Sequence, residues 1–144
     1  MRRTPHPRRV FLDSSGFLAL INLKDVWHQQ ARTAWSQLTE ERWSTFTTNF
    51  VIAETHALFL ARIGRAAAAD FLRGIDQSGT TIVRVAQRDE DQARSIVFRY
   101  DDKDFSFTDA TCFAVMERLR IGAALTFDPN FSQYGLQVVG PEKP

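Results

Sequence analysis

The spacing of apolar and polar positions changes repeatedly along the chain, and each change marks an element. Val10-Phe11-Leu12 is a short apolar run that meets Asp13-Ser14-Ser15-Gly16. This predicts a buried strand, a polar turn and then a helix over 17–23. Trp27, Ala31, Ala34, Trp35 and Leu38 recur at helical spacing, so a helix over 27–42 is expected with its tryptophans in the core. Ser44-Thr45-Phe46-Thr47-Thr48 has the β-branched and aromatic content of a strand. Asn49 can cap a helix over 50–63 that Gly64 ends, and an alanine-rich helix over 65–75 closes near Gly79. A strand over 80–85, a helix over 88–100, a polar loop over 101–104, a helix over 108–120 and strands over 123–127 and 136–139 complete the series.

Strands that alternate with helices imply crossover connections, so the expected class is α/β, with about five strands in a mostly parallel sheet flanked by helices. No repeat or linker divides the chain. Its 144 residues suit one domain over 10–140, preceded by a basic tail over 1–9. The composition, 44% hydrophobic and 24% charged, is that of a globular chain rather than a disordered one. The net charge of +1 advertises no global field for nucleic acid, so any phosphate-binding surface must be local. The basic start lacks the unbroken apolar stretch of a signal peptide, and no run is long enough to span a membrane. The single cysteine, Cys112, falls in an amphipathic segment and reads as packing; a cytoplasmic home is the expectation.

The chemistry lies in the acids. Asp13 and Asp128 fall at the carboxyl ends of predicted strands, where parallel sheets bind ligands, although either could simply serve a turn. Glu54 falls on the helical wheel among Phe50, Leu58 and Ala61, with Thr55, His56 and Arg62 elsewhere. A carboxylate aimed inward needs a cationic partner, a proton or a metal. Asp109 fits a capping box with Ser106, which is compatible with a second role as a ligand. Oxygen donors favour Mg²⁺ or Mn²⁺, and His6, His28 and His56 offer no zinc-type spacing. Asp104 reads first as a solvated loop residue.

The order of these motifs resembles the PIN-domain family, especially the VapC-type ribonucleases of toxin–antitoxin pairs. The matching segments are Val10-Phe11-Leu12-Asp13-Ser14-Ser15, Phe50-Val51-Ile52-Ala53-Glu54, Phe105-Ser106-Phe107-Thr108-Asp109-Ala110 and Leu125-Thr126-Phe127-Asp128-Pro129-Asn130-Phe131. The resemblance implies Mg²⁺- or Mn²⁺-dependent cleavage of RNA at a site built from Asp13, Glu54, Asp109 and Asp128, with Ser14 and Thr108 supporting the acids. It also implies a homodimer and, for a toxin, an antitoxin partner. An RNA-processing nuclease without an antitoxin and a nonenzymatic interaction module are the alternatives. A haloacid dehalogenase-type phosphatase would need an aspartate where Ser15 stands, and a receiver domain would need one where Ala86 and Gln87 stand.

Overall fold

The computed structural model describes residues 8–140. Five parallel strands are ordered β3-β2-β1-β4-β5, with β1 at Arg9–Leu12, β2 at Ser44–Thr48, β3 at Thr81–Val83, β4 at Ala123–Leu125 and β5 at Gln137–Val139. The chain builds outward from β1 to β2 and β3, then returns to lay β4 on the other side of β1. Phe11 lies opposite Phe46 of β2 and Ala124 of β4. The winding direction therefore reverses between β1 and β4, which opens a crevice at their carboxyl ends. Seven helices connect the strands: α1 (Ser14–Ile21), α2 (His28–Glu40), α3 (Asn49–Arg62), α4 (Arg65–Gln77), α5 (Gln87–Arg99), α6 (Phe107–Leu119) and α7 (Pro129–Tyr134). Right-handed crossovers send the first two connections and the third to opposite faces of the sheet.

The strands are short because both sheet faces are covered and only a few residues of each enter the core. Val10, Phe11 and Leu12 are completely buried. Helix α6 is the most enclosed helix, with every residue from Ala110 to Met116 buried, so Cys112 is a packing residue. Phe113 meets Phe105 and Phe131 edge-on at 5.1 and 5.0 Å and stacks on Tyr134 at 4.3 Å. These are favourable aromatic geometries that anchor α6 and α7 to each other.

The differences from the sequence expectations have local causes. No turn separates β1 from its helix: Asp13 is itself the N-cap of α1, accepting from the Gly16 N–H at 2.8 Å. Thr48, not Asn49, caps α3, accepting from Val51 N at 3.1 Å. The Asn49 side chain instead accepts from Val85 N at 2.9 Å and ties the end of β3 to α3. Trp27 precedes α2 and half-buries its ring by stacking on Phe127 at 5.3 Å, while Ala31, Ala34 and Leu38 form the buried stripe. Residues 126 and 127 leave β4 to serve the site, and α7 was not foreseen. Arg9 belongs to β1 rather than to a tail, and residues 1–7 lie outside the described residues.

Candidate active site

Asp13 is carried by the end of β1 and Asp128 by the segment following β4, its neighbour in the sheet, so the crevice holds both. Close approach of α1 to β4 requires Gly16: a Cβ there would lie 2.4 Å from the Leu125 carbonyl oxygen. Two hydroxyls then clamp the loop after β4 onto Asp13. Thr126 Oγ1 donates to Asp13 Oδ2 at 2.7 Å and accepts from Asp128 N at 3.1 Å. Ser15 Oγ donates to Asp13 Oδ1 at 2.9 Å and accepts from Phe127 N at 2.8 Å. Asp13 is the most deeply placed of the four acids, only 5% exposed.

The other three acids reach the same mouth from helices. Glu54, one turn into α3, accepts from Ser14 Oγ at 2.6 Å, which links α3 to the start of α1. Its surroundings differ from the wheel: Val51, Thr55 and Phe59 form the buried stripe of α3, and Glu54 is half-buried on its flank. Thr55 takes the inward place because its hydroxyl returns to Val51 O at 2.7 Å and leaves no unmet donor. Asp109 completes the expected capping box, accepting from Ser106 N at 3.2 Å while its own N–H donates to Ser106 Oγ at 3.0 Å. It also accepts from Asn130 Nδ2 at 3.0 Å. Asp128 caps α7 by accepting from Asn130 N at 2.9 Å.

The acids influence one another's ionisation. Burial raises the Asp13 carboxyl from 3.8 to about 7, with Asp128 adding to the rise and the Thr126, Gly16 and Ser15 donors opposing it. Burial also raises Asp128, followed by the charges of Asp109 and Glu54. The Cys112 thiol rises through burial and then through the charges of Asp13, Asp109 and Glu54. Among the described residues, no lysine, arginine or histidine forms an ion pair with any of the four acids. Nor do three or more His, Cys, Asp or Glu side chains already stand in a ready-made metal cluster among those residues. The hydrogen bonds explain why: Glu54 is turned to Ser14, Asp109 to Ser106 and Asn130, and Asp128 to the start of α7.

Of the supporting residues expected, Ser14 touches Glu54. The Thr108 hydroxyl hydrogen-bonds none of the acids among the described residues; its carbonyl accepts from Thr111 at 2.7 Å. Ser15, Thr126 and Asn130 were missed. Each lies within two residues of an acid, and small hydroxyl or amide side chains beside strand-end carboxylates were the available signal. Asp104 is exposed, as expected of a loop residue.

Fold and site together define an α/β protein with an acid-lined crevice at the switch point of its parallel sheet. The sequence profile of the PIN domain matches residues 10–136. The chain is 36% identical over 137 residues to the 23S rRNA-specific endonuclease VapC20 of Mycobacterium tuberculosis, spanning 92% of this chain and 99% of that one. It is 31% identical over 128 residues to a VapC ribonuclease of Archaeoglobus fulgidus, spanning 85% and 79% of the two chains. The crystal structure of M. tuberculosis VapC20, described as a sarcin-ricin loop cleaving toxin, matches with a TM-score of 0.85 at 33% identity over 92% of this chain and 99% of that one. FitAcB from Neisseria gonorrhoeae shares the fold, with a TM-score of 0.66 at 14% identity over 90% of this chain and 96% of that one. The chain belongs to the PIN-domain family, and within it to the VapC-type endoribonucleases.

Proposed function

We propose that this chain is a divalent-metal-dependent endoribonuclease in which Asp13, Glu54, Asp109 and Asp128 together hold Mg²⁺ or Mn²⁺. The observation that carries this reading is the convergence of four acids that have no cationic side chain paired with them among the described residues. Two carboxylates brought to about 4 Å repel by about 4 kcal/mol at an effective dielectric of 20, so drawing these acids together calls for a cation. The donor set is all oxygen, which suits a hard ion. A bound ion would supply an acidified water and an electrophile for phosphate oxygens.

The chain's own residues do the rest. Asp13, braced by Ser15, Thr126 and the Gly16 amide, presents its carboxylate at a fixed position in a nearly dry floor. Asn130 spans Asp109 and Asp128 through its side-chain and backbone N–H groups, setting the spacing of the two helix starts. Glu54 is only half-buried and held by a single serine donor, so it has the freedom to take a proton from attacking water. Purified protein should cleave RNA in Mn²⁺ and lose activity on chelation or on Asp13→Asn. Cleavage surviving both treatments would sink the mechanism.

The first substrate to try is a structured loop of large-subunit ribosomal RNA, because the 36% identical relative is named for 23S rRNA. Toxin activity is part of the proposal, supported by the structural neighbour described as a toxin. Growth arrest on expression of the chain, relieved by a co-expressed neighbouring antitoxin, is the expected result; harmless expression of soluble, active enzyme argues against it. A groove of about 430 Å³ among α1, α2 and α4, lined by Leu20, Ile21, Trp35, Phe71 and Ile75, suits the apolar face of an antitoxin segment. A homodimer also follows from family likeness and is checked by light scattering. No helix among the described residues is long and apolar enough to cross a membrane.

A further inference from the structure

Next to the acids, three aromatic rings and an arginine meet where the core does not need them. Phe50 precedes Glu54 by one turn of α3, so the two side chains are neighbours on that helix. The Phe50 ring lies 6.3 Å from Phe107, which opens α6 two residues before Asp109. The Arg94 guanidinium sits over the Phe107 ring, 5.6 Å from its centroid. Helix α5 buries Asp89, Ala93 and Ile96, yet it holds Phe98 75% exposed, and Phe107 is 39% exposed. Arg94, Val97, Phe98 and Phe107 border an open concavity of about 300 Å³. Arg84 and Arg88, exposed where β3 passes into α5, form no ion pair among the described residues. Asn49 ties that junction to the start of α3, beside Phe50.

An exposed ring with an arginine over it, both bordering one open cleft, is suited to a planar, electron-rich partner beside a phosphate chain. Unpaired RNA bases stack on aromatic and guanidinium planes, while arginines hold the backbone. Arg94, which also meets exposed Asp91 at 3.5 Å, is the one charged residue among the described residues lining this concavity, and a protein surface would match flat apolar area more readily than a concave cleft edged by a guanidinium. We propose that Phe107, with the Arg94 guanidinium over its ring, is the stacking platform for a base flanking the scissile phosphate, and that Phe98 lines the same cleft. The proposal rests on the endoribonuclease reading above and assigns it a nucleotide subsite on the β3 side of the acids.

The test begins from the RNA that wild-type protein cleaves in Mn²⁺, with its cleavage site mapped. Absence of cleavage overturns both readings; its presence leaves the platform to be judged alone. Phe107→Ala should raise KM about tenfold or more, from the worth of one base–aromatic stack. The kcat value should change by less than about twofold, because the acids are untouched. Phe107→Trp should restore KM, and Phe98→Ala, at a more exposed site, should give a smaller rise of the same kind. Substrates with single abasic nucleotides near the cut should identify one position whose loss weakens wild type but adds nothing to Phe107→Ala. Equal responses of both proteins to every abasic substrate overturn the proposal. So does a Phe107→Ala chain that keeps KM but turns from dimer to monomer, which makes the patch a self-interface.

Discussion

Asp13→Asn should stabilise the metal-free protein while destroying its activity, and the size of the gain should depend on pH. The buried carboxyl titrates at about 7 instead of 3.8. At about 1.4 kcal/mol for each pH unit of displacement, this corresponds to about 4 kcal/mol against the folded state once the group is ionised. The unfolded chain gives up this proton near pH 4 and the folded chain near pH 7. Folded wild type therefore holds its full contribution below pH 4, loses it as pH rises to about 7, and is level above about pH 8. Asparagine keeps the shape, still accepts from Gly16 N and Ser15 Oγ, and never ionises. It gives up the Thr126 donation to Oδ2, a loss of about 1 kcal/mol. The net gain near pH 8 is about 3 kcal/mol, or about 9 °C in Tm at about 3 °C per kcal/mol. Thermal unfolding of both proteins in chelator from pH 4 to 8.5 measures it, with the gap opening between pH 4 and 7. Mn²⁺ at pH 8 should raise wild type and leave the variant unmoved. A gap independent of pH, or an equal response of both proteins to Mn²⁺, would refute the reasoning.

Other outcomes test the frame around the site. Asp89, 2% exposed on α5, takes two hydrogen bonds from Arg118 of α6, at 2.7 and 2.8 Å, and accepts from Ala86 N; Arg118 holds its carboxyl below the usual range despite the opposing effect of burial. Asp89→Ala should cost about 3 kcal/mol in urea unfolding, since it leaves a half-buried guanidinium without its partner; a loss under about 1 kcal/mol would show the pair to be ornamental. Gly16→Ala places a methyl 2.4 Å from the Leu125 carbonyl, so it should cost about 3 kcal/mol and misplace Asp13, with kcat falling even where the chain stays folded. Unchanged kcat in folded Gly16→Ala protein would contradict the α1–β4 contact. Ser14→Ala frees Glu54 from its 2.6 Å donor and should lower kcat about tenfold or less with Tm nearly constant; a large Tm loss would mean that Ser14 serves the fold instead.

The local periodicities were enough to reveal the α/β class, five strands and six of the helices, because each rests on nearest-neighbour spacing that survives in any packing. Helix α7 escaped notice because Asp128-Pro129-Asn130 has the chemistry of a turn as well as of a helix start, and only the Phe131–Phe113 contact decides between them. The four candidate acids could be singled out for their positions, and Asp109 even for its capping box. Their unequal environments could not. The wheel turned Glu54 inward, but the chain buries Thr55 because a hydroxyl can satisfy itself on the Val51 carbonyl and a carboxylate cannot.

The sequence by itself determined which residues could carry charge at strand and helix ends, because those ends follow from local pattern and capping. Tertiary structure alone decided that β4 lies beside β1, and hence that Asp13 and Asp128 share a crevice. It alone made Asp13 the most buried of the four acids, enlisted Ser15 and Thr126 as its braces, and set Asn130 between Asp109 and Asp128. Burial, charge coupling and hydrogen bonding across more than a hundred residues depend on which surfaces meet, and no window of neighbouring positions contains that information.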